Sequence, residues 1–302
     1  MIQINRTNPL FQLIWLVLLM VAGAIVGSII SYLIGISVWG QDSMTNPDLL
    51  MNNIGFLRLL QIMNVFFMMF APSLIFLYHF GNERDYAQFK TPDNLLLFLI
   101  SGLIIIVSQP FVEWTALINQ KLELPNALHF IENWIVSNEQ ELNQVTLEFL
   151  DTKHWPVILI NIAMMVFLPA ICEEILFRGI LQSKLTQWMG NGHLAVITTA
   201  IIFSAFHIQF LTFLPRFILG IALGYMLFWG KSILLPITGH LINNGIALTT
   251  FYYYRFNYPE INPLEMNMEN SMPPYIYVIS FVALMAAMIG MKKLAEKSSF
   301  IR

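Results

Sequence analysis

Apolar runs of about twenty residues recur along this chain, and in lipid a run of that length has one backbone solution. Every N–H and C=O must find its partner within the segment, so each run is read as a membrane-spanning helix. The runs are Leu10–Ile34, Ile54–Phe80, Asn94–Ile118, Trp155–Gln182, Leu194–Phe213, Leu214–Trp229, Ser232–Phe251 and Tyr275–Met291. Of the 302 residues, 57% are hydrophobic and only 11% are charged, against about a quarter charged in an ordinary soluble domain. The expected fold is therefore all-α: a polytopic bundle of about eight transmembrane helices, forming a single integral-membrane domain over residues 1–302. The net charge of −3 gives no reason to expect a nucleic-acid partner; the expected surroundings are membrane lipid.

The first run is too long for the core of a signal peptide and reads as a span. Its Gly23 and Gly27 have the spacing of a close helix contact. Pro72 and Pro110 read as a kink and an interruption, and Gly40–Asn53 and Gly81–Asp93 as polar turns. The longest polar stretch, residues 119–154, carries acids such as Glu132, Glu139 and Glu148. Apolar positions such as Ile131, Ile135, Leu142 and Val145 recur in it at helical intervals, which predicts one or two amphipathic helices on the membrane surface. Arg6, Arg84, Lys90, Lys184, Lys231 and Lys292–Lys297 fall on one side of this layout and the acidic stretch falls on the other. Arg58, Arg216 and Arg255 dissent. The positive-inside rule then puts both termini in the cytoplasm and residues 119–154 outside.

One run breaks its own apolar pattern. Glu173, Glu174 and Arg178 lie within Trp155–Gln182, although a charge at the bilayer centre costs at least ~2.5 kcal/mol. Glu174 and Arg178 are four apart on a helix and can pair, acid first. Glu173 is left over, rotated about 100° away. Two later runs carry histidines: His207 in the fifth, and His240 in the seventh with Asn244 four residues on. At about 1.5 Å per residue, Glu173, His207 and His240 lie roughly 14, 20 and 12 Å from the cytoplasmic ends of their runs, so they can share one layer.

Such a set suits hydrolysis. Glu173 can take a proton from water, His207 can hold that water, and His240 and Asn244 can donate to a developing oxyanion. The same residues admit a second reading. Glu173, His207 and His240 offer the O/N/N donors of a zinc site with an open position for water. The helix signature His-Glu-x-x-His is absent, and the metal-free version is preferred. The single cysteine, Cys172, excludes an internal disulfide, and no base lies at helical spacing to activate it as a nucleophile. Two other functions remain to be weighed: a catalytically idle scaffold regulating a partner, and a proton-coupled transporter, for which no inverted repeat is found.

The three motifs Glu173-Glu174-x-x-x-Arg178, Phe203-x-x-x-His207 and His240-x-x-x-Asn244 resemble, in order and spacing, those of the CAAX prenyl protease and bacteriocin-processing (CPBP, Abi) intramembrane proteases. Phe177-Arg178-Gly179 and the run from Pro215-Arg216 to Gly220 match as well. The resemblance implies an eight-helix intramembrane endopeptidase with a conical cavity, acting on a membrane-associated protein or peptide. It implies that Glu173 and His207 activate water, that His240 and Asn244 form the oxyanion hole, and that Glu174 and Arg178 support them. It places the catalytic core in residues 155–251. Many family members are labelled metalloproteases. The general look is that of bacterial members, which implies the bacterial inner membrane and makes a prenylated substrate doubtful. The oligomeric state is not readable from these features.

Overall fold

The computed structural model describes residues 8–82, 85–86, 88–92, 94–121, 125, 127, 129–258 and 272–299. Arg6, Arg84 and Asp93, named above, lie outside them. Nine principal helices are described: α1 (Pro9–Trp39), α2 (Ile54–Phe80), α3 (Leu96–Gln120), α4 (His129–Leu150), α5 (Trp155–Met189), α6 (Gly192–Phe206), α7 (Phe213–Gly230), α8 (Leu234–Asn257) and α9 (Pro274–Ser299). No strand occurs among the described residues. The all-α, polytopic expectation holds.

Six of these helices are long and apolar enough to cross a membrane: α1, α2, α3, α5, α9 and the segment Phe210–Gly230 that contains α7. The other two expected runs are also helical. They fall short for physical reasons. α6 has 15 residues, because the chain leaves the helix at His207 and turns through Ile208. Ile208 has a φ of 54°, in the left-handed region that a β-branched residue rarely adopts. α8 is 24 residues long, but Thr238, His240, Asn243 and Asn244 dilute its apolar character. The residues that make α8 interesting are the ones that lower its hydropathy.

Four local expectations resolve as follows. Gly23 does make a close helix contact: a Cβ there would lie 1.8 Å from the Phe67 carbonyl oxygen of α2. Gly40–Asn53 is not an open loop but two short helices, Gln41–Thr45 and Pro47–Met51. α3 runs straight through Pro110. The proline removes a backbone donor, and Ser280 of α9 repairs the ladder there, accepting from the Phe111 N–H at 3.0 Å and donating to the Val107 carbonyl. Among the described residues of the polar stretch 119–154 there is one long amphipathic helix, α4.

α5 is the central element. It contacts α1 and α2 on one side and α6, α7 and α8 on the other, while α3 and α9 pack outside α7 and α8. Two apolar clusters flank it: Leu16, Phe76, Leu176, Phe177 and Ile180 among α1, α2 and α5, and Ile104, Met226, Leu235 and Met291 among α3, α7, α8 and α9. α5 is not a uniform α-helix. Residues Ala163–Phe167 and Glu174–Gln182 are π-helical, the wider form that recurs at functional sites.

Gly81–Asp93 reads in the sequence as a charged turn. Its described part is a strap instead. Asp85 is 1% exposed; it pairs with Lys184 of α5 at 2.7 Å and accepts from Ser183 at 2.7 Å. Gln88 donates to the Gly179 carbonyl at 2.6 Å, and its own carbonyl accepts from Ile233 at 2.8 Å. Ser232 donates to the Lys90 carbonyl at 2.7 Å. The strap thus ties α2, α5 and the α7–α8 turn together. The arginines that dissented from the charge layout are similarly engaged: Arg58 donates to the Phe149 carbonyl at 2.6 Å and Arg255 pairs with Asp151 at 2.6 Å.

Asp85→Asn strands a buried ammonium. Breaking a buried pair in this way costs about 3–5 kcal/mol, so thermal unfolding of the purified protein in detergent should start at a clearly lower temperature. The double change Asp85→Asn with Lys184→Gln should recover much of the loss.

Candidate active site

The site is built where α5 changes helical type. Glu173 ends the α-helical stretch Leu168–Glu173 and Glu174 opens the π-helical one. Glu174 and Arg178 are both fully buried, with Oε1 3.0 Å from Nη1. The same Glu174 Oε1 lies 2.8 Å from Nδ1 of His240. The Arg178 guanidinium stacks over the Phe203 ring of α6 at 4.2 Å and donates to the Gly220 carbonyl of α7 at 3.4 Å. One turn on, Gln182 donates to the Gly224 carbonyl at 3.0 Å. Glycine is needed at that point: a Cβ on Gly224 would sit 2.9 Å from the Gln182 amide oxygen.

Glu173 points elsewhere, as helix geometry requires. It is 8% exposed, and its Oε2 accepts no hydrogen bond from the described residues. Two imidazole nitrogens face that oxygen: His207 Nε2 at 3.9 Å and His240 Nε2 at 4.0 Å. These separations are too long for direct hydrogen bonds and suit a shared small group between them. Both rings are held from behind. His207 Nδ1 lies 2.9 Å from the Phe203 carbonyl, which can only accept, so Nδ1 carries the hydrogen. Glu174 fixes His240 in the same way. So anchored, both rings turn Nε2 toward Glu173. Asn244 donates one amide hydrogen to the Met165 carbonyl of α5 at 3.2 Å and accepts from Asn243 at 3.3 Å.

Glu173, His207, His240 and Asn244 all line one cavity of about 530 Å³. α4 closes part of it with Leu142, Val145 and Phe149. A second cavity, of about 590 Å³, opens between α1 and α2 and shares Gln61, Glu173 and His207 with the first. Glu173 therefore stands where two cavities meet.

The zinc alternative is testable on these distances. The donor types suit the ion, and the backing of each ring by a carbonyl or a carboxylate is the usual second layer of a metal site. Ligands at 2.0–2.1 Å in a tetrahedron stand about 3.3 Å apart, less than the 3.9 and 4.0 Å found here. Among the described residues no three His, Cys, Asp or Glu groups are arranged to hold an ion. As placed, the residues do not fit a metal.

Several polar residues at the site carried no clear signal in the sequence. Arg216 lines the cavity, though in the sequence it counts only as a dissenting charge and a flanking match. Gln61 and Gln209 line it too, and Asn243 accepts from Gln109 of α3 at 3.3 Å. Glu139 of α4 is buried and accepts from the Leu211 N–H at 3.1 Å, bracing the chain after His207. Cys172 is buried against α2 and α5 residues rather than in the cavity.

Membrane-length helices around a shared cavity define a polytopic membrane protein with a polar centre built from Glu173, His207, His240 and Asn244. Residues 155–246 match the family model described as type II CAAX prenyl endopeptidase Rce1-like, and that stretch includes all three motifs from Glu173 to Asn244. The resemblance read from the motifs is borne out over this stretch, and it supports a CAAX-type intramembrane protease in general terms. The chain is also 32% identical over 90 residues to the uncharacterized protein YpbD of Bacillus subtilis (strain 168), covering 28% of this chain and 43% of the relative. It thus spans less than half of that relative's length. No solved structure matches the chain.

Glu174→Gln weakens the partner of a fully buried guanidinium and should lower the unfolding temperature markedly. Glu173→Gln removes no partner of Arg178 and should leave that temperature nearly unchanged. Glu139 offers a pH test. Burial pushes its carboxyl above the ordinary value of 4.5, against the opposing pull of the Leu211 amide and the Arg216 charge. A raised pKa in the folded state means that its contribution to stability falls as pH rises above about 4.5. Relative to Glu139→Gln, wild type should therefore lose thermal stability between acid and neutral pH.

Proposed function

We propose that the chain is an intramembrane endopeptidase that hydrolyses a peptide bond in a membrane-associated protein or peptide, with residues 155–251 as the catalytic core. The observation that carries this reading is the Glu173 Oε2 atom, set 3.9 and 4.0 Å from two imidazole Nε2 atoms at the junction of two cavities. Those separations suit a water held by Glu173 and His207. Glu173 takes a proton from that water as the oxygen attacks the scissile carbonyl carbon. The carbonyl oxygen gains charge and is met by the second amide hydrogen of Asn244 and by His240 Nε2. Because Nδ1 of His240 is committed to Glu174, donation from Nε2 requires the doubly protonated ring. Glu173 then returns its proton to the leaving amine. The reading is metal-free and takes the bacterial inner membrane as the setting, with both termini cytoplasmic.

The test is cleavage of a membrane-anchored peptide library, reconstituted with the purified protein and read by mass spectrometry. Glu173→Gln should abolish cleavage while folding is kept, and Asn244→Ala should slow it ~10²–10³-fold, the usual cost of one oxyanion donor. Chelators should change the rate little, and elemental analysis of the active protein should find no stoichiometric metal. Undiminished cleavage by Glu173→Gln would remove the assigned base. One zinc per active chain, lost in His240→Ala, would replace this mechanism with a metal one.

A further inference from the structure

The catalytic cavity contains a cation that the mechanism does not use. Arg216 lies in the apolar segment Phe210–Gly230 and lines the same cavity as Glu173 and His240. A guanidinium in such a segment carries a large desolvation cost and needs compensation. Among the described residues it forms no ion pair. Its hydrogen bonds go to neutral oxygens: Nη1 donates to Thr212 Oγ1 at 2.7 Å and to the Gln209 carbonyl at 3.5 Å, and Nη2 donates to Gln209 Oε1. Of the five N–H groups of an arginine, these bonds take three. The Nε–H and one Nη2–H remain. Gln209 and Thr212 hold the fork steady from one side, so it is ordered without being neutralised. Two carboxylates act on it through space without pairing with it: Glu139 of α4, which spends Oε2 on the Leu211 N–H, and Glu173 across the cavity.

We infer that Arg216 is a specificity-determining residue that docks a carboxylate of the substrate inside the catalytic cavity. The inference rests on the peptidase reading above and adds a substrate class to it: peptides carrying an acid at a fixed distance from the scissile bond. A guanidinium fork matches a carboxylate with two parallel hydrogen bonds. A cavity of about 530 Å³ is in the range that encloses a small group of substrate atoms. The carboxylate can be a C-terminus or an acidic side chain, since both present the same two oxygens. The competing role for Arg216 is purely positional, bracing Gln209 and Thr212 behind His207, and it predicts no discrimination between acids and their neutral analogues.

The experiment has a binding arm and a turnover arm. Glu173→Gln protein, blocked in hydrolysis, is presented with a proteome-derived peptide mixture and with the same mixture after methyl esterification of every carboxylate. The free-acid mixture should be retained and the ester mixture released. Retained peptides resynthesised as C-terminal amides, or with Asp→Asn or Glu→Gln, then separate the two sources of the carboxylate. The acid should bind ~10–100-fold more tightly than its neutral analogue, the worth of a hydrogen bond to a charged group. That preference should vanish with Arg216→Gln and return in part with Arg216→Lys. In turnover, Arg216→Gln should raise KM for the acid relative to its neutral analogue, a ratio that any effect of the lost charge on Glu173, common to both substrates, does not move. Equal retention of acids and esters overturns the inference, and that measurement needs no Arg216 variant to fold. Loss of kcat in Arg216→Gln with the acid preference unchanged also overturns it, in favour of the bracing role. Arg216-dependent binding of acids by a wild-type chain that cuts nothing would support the docking and overturn the peptidase reading.

Discussion

One buried carboxylate sets the register of the bundle. Glu174 is shared between Arg178, on its own helix, and His240, on α8. Arg178 in turn reaches the Gly220 carbonyl of α7 and lies over the Phe203 ring of α6. Four helices are thus located relative to one charge. A buried pair of this kind returns little net stability after desolvation, and its stronger effect is to penalise every arrangement in which a partner is missing. With Glu174 fixed, the preceding residue has no choice of direction. Glu173 must face the cavity, and the two histidines face it because their other nitrogens are already bound.

The amphipathic helix α4 completes this arrangement from outside. Its apolar positions Leu142, Val145 and Phe149 wall the cavity, while Glu139 fastens the chain that leaves α6 after His207. The left-handed Ile208 turns the backbone away at once, so His207 sits at a helix end rather than in mid-helix. A side chain at such a point is oriented by α6 on one side and by a braced turn on the other.

Much of this was legible in the sequence, for reasons that can be named. Helices in lipid announce themselves by apolar length, and Ile54–Phe80 coincides with its run to the residue. The Glu174–Arg178 pair follows from helix spacing alone. What escaped notice depends on partners distant in sequence. Lys184 counts in the sequence only toward the charge layout and Asp85 goes unremarked, because nothing local reveals that 99 residues apart they neutralise each other. Arg216 looked like an error in the charge layout for the same reason. The π-helical turns were invisible, since the side chains of Glu174–Gln182 have the same apolar character in either helical form. α8 was expected as a span and is a helix, but its polar face leaves it outside the set of six that hydropathy alone picks out.

The π-helical stretch has a consequence for how such a chain can change over time. Substitution alters one side chain, but adding or removing a single residue between Glu174 and Gln182 would change the winding of this stretch and so the rotation of what lies beyond it relative to Glu173. Arg178 and Gln182 reach two carbonyls of α7 from this stretch, and Ser183 and Lys184 reach Asp85 just beyond it. Glu173 lies on the near side of the same stretch. The spacing between the acid and those anchors is therefore itself a coded quantity, counted in whole residues. Length variation, which loops absorb freely, is as consequential in this part of the chain as replacing an active-site carboxylate.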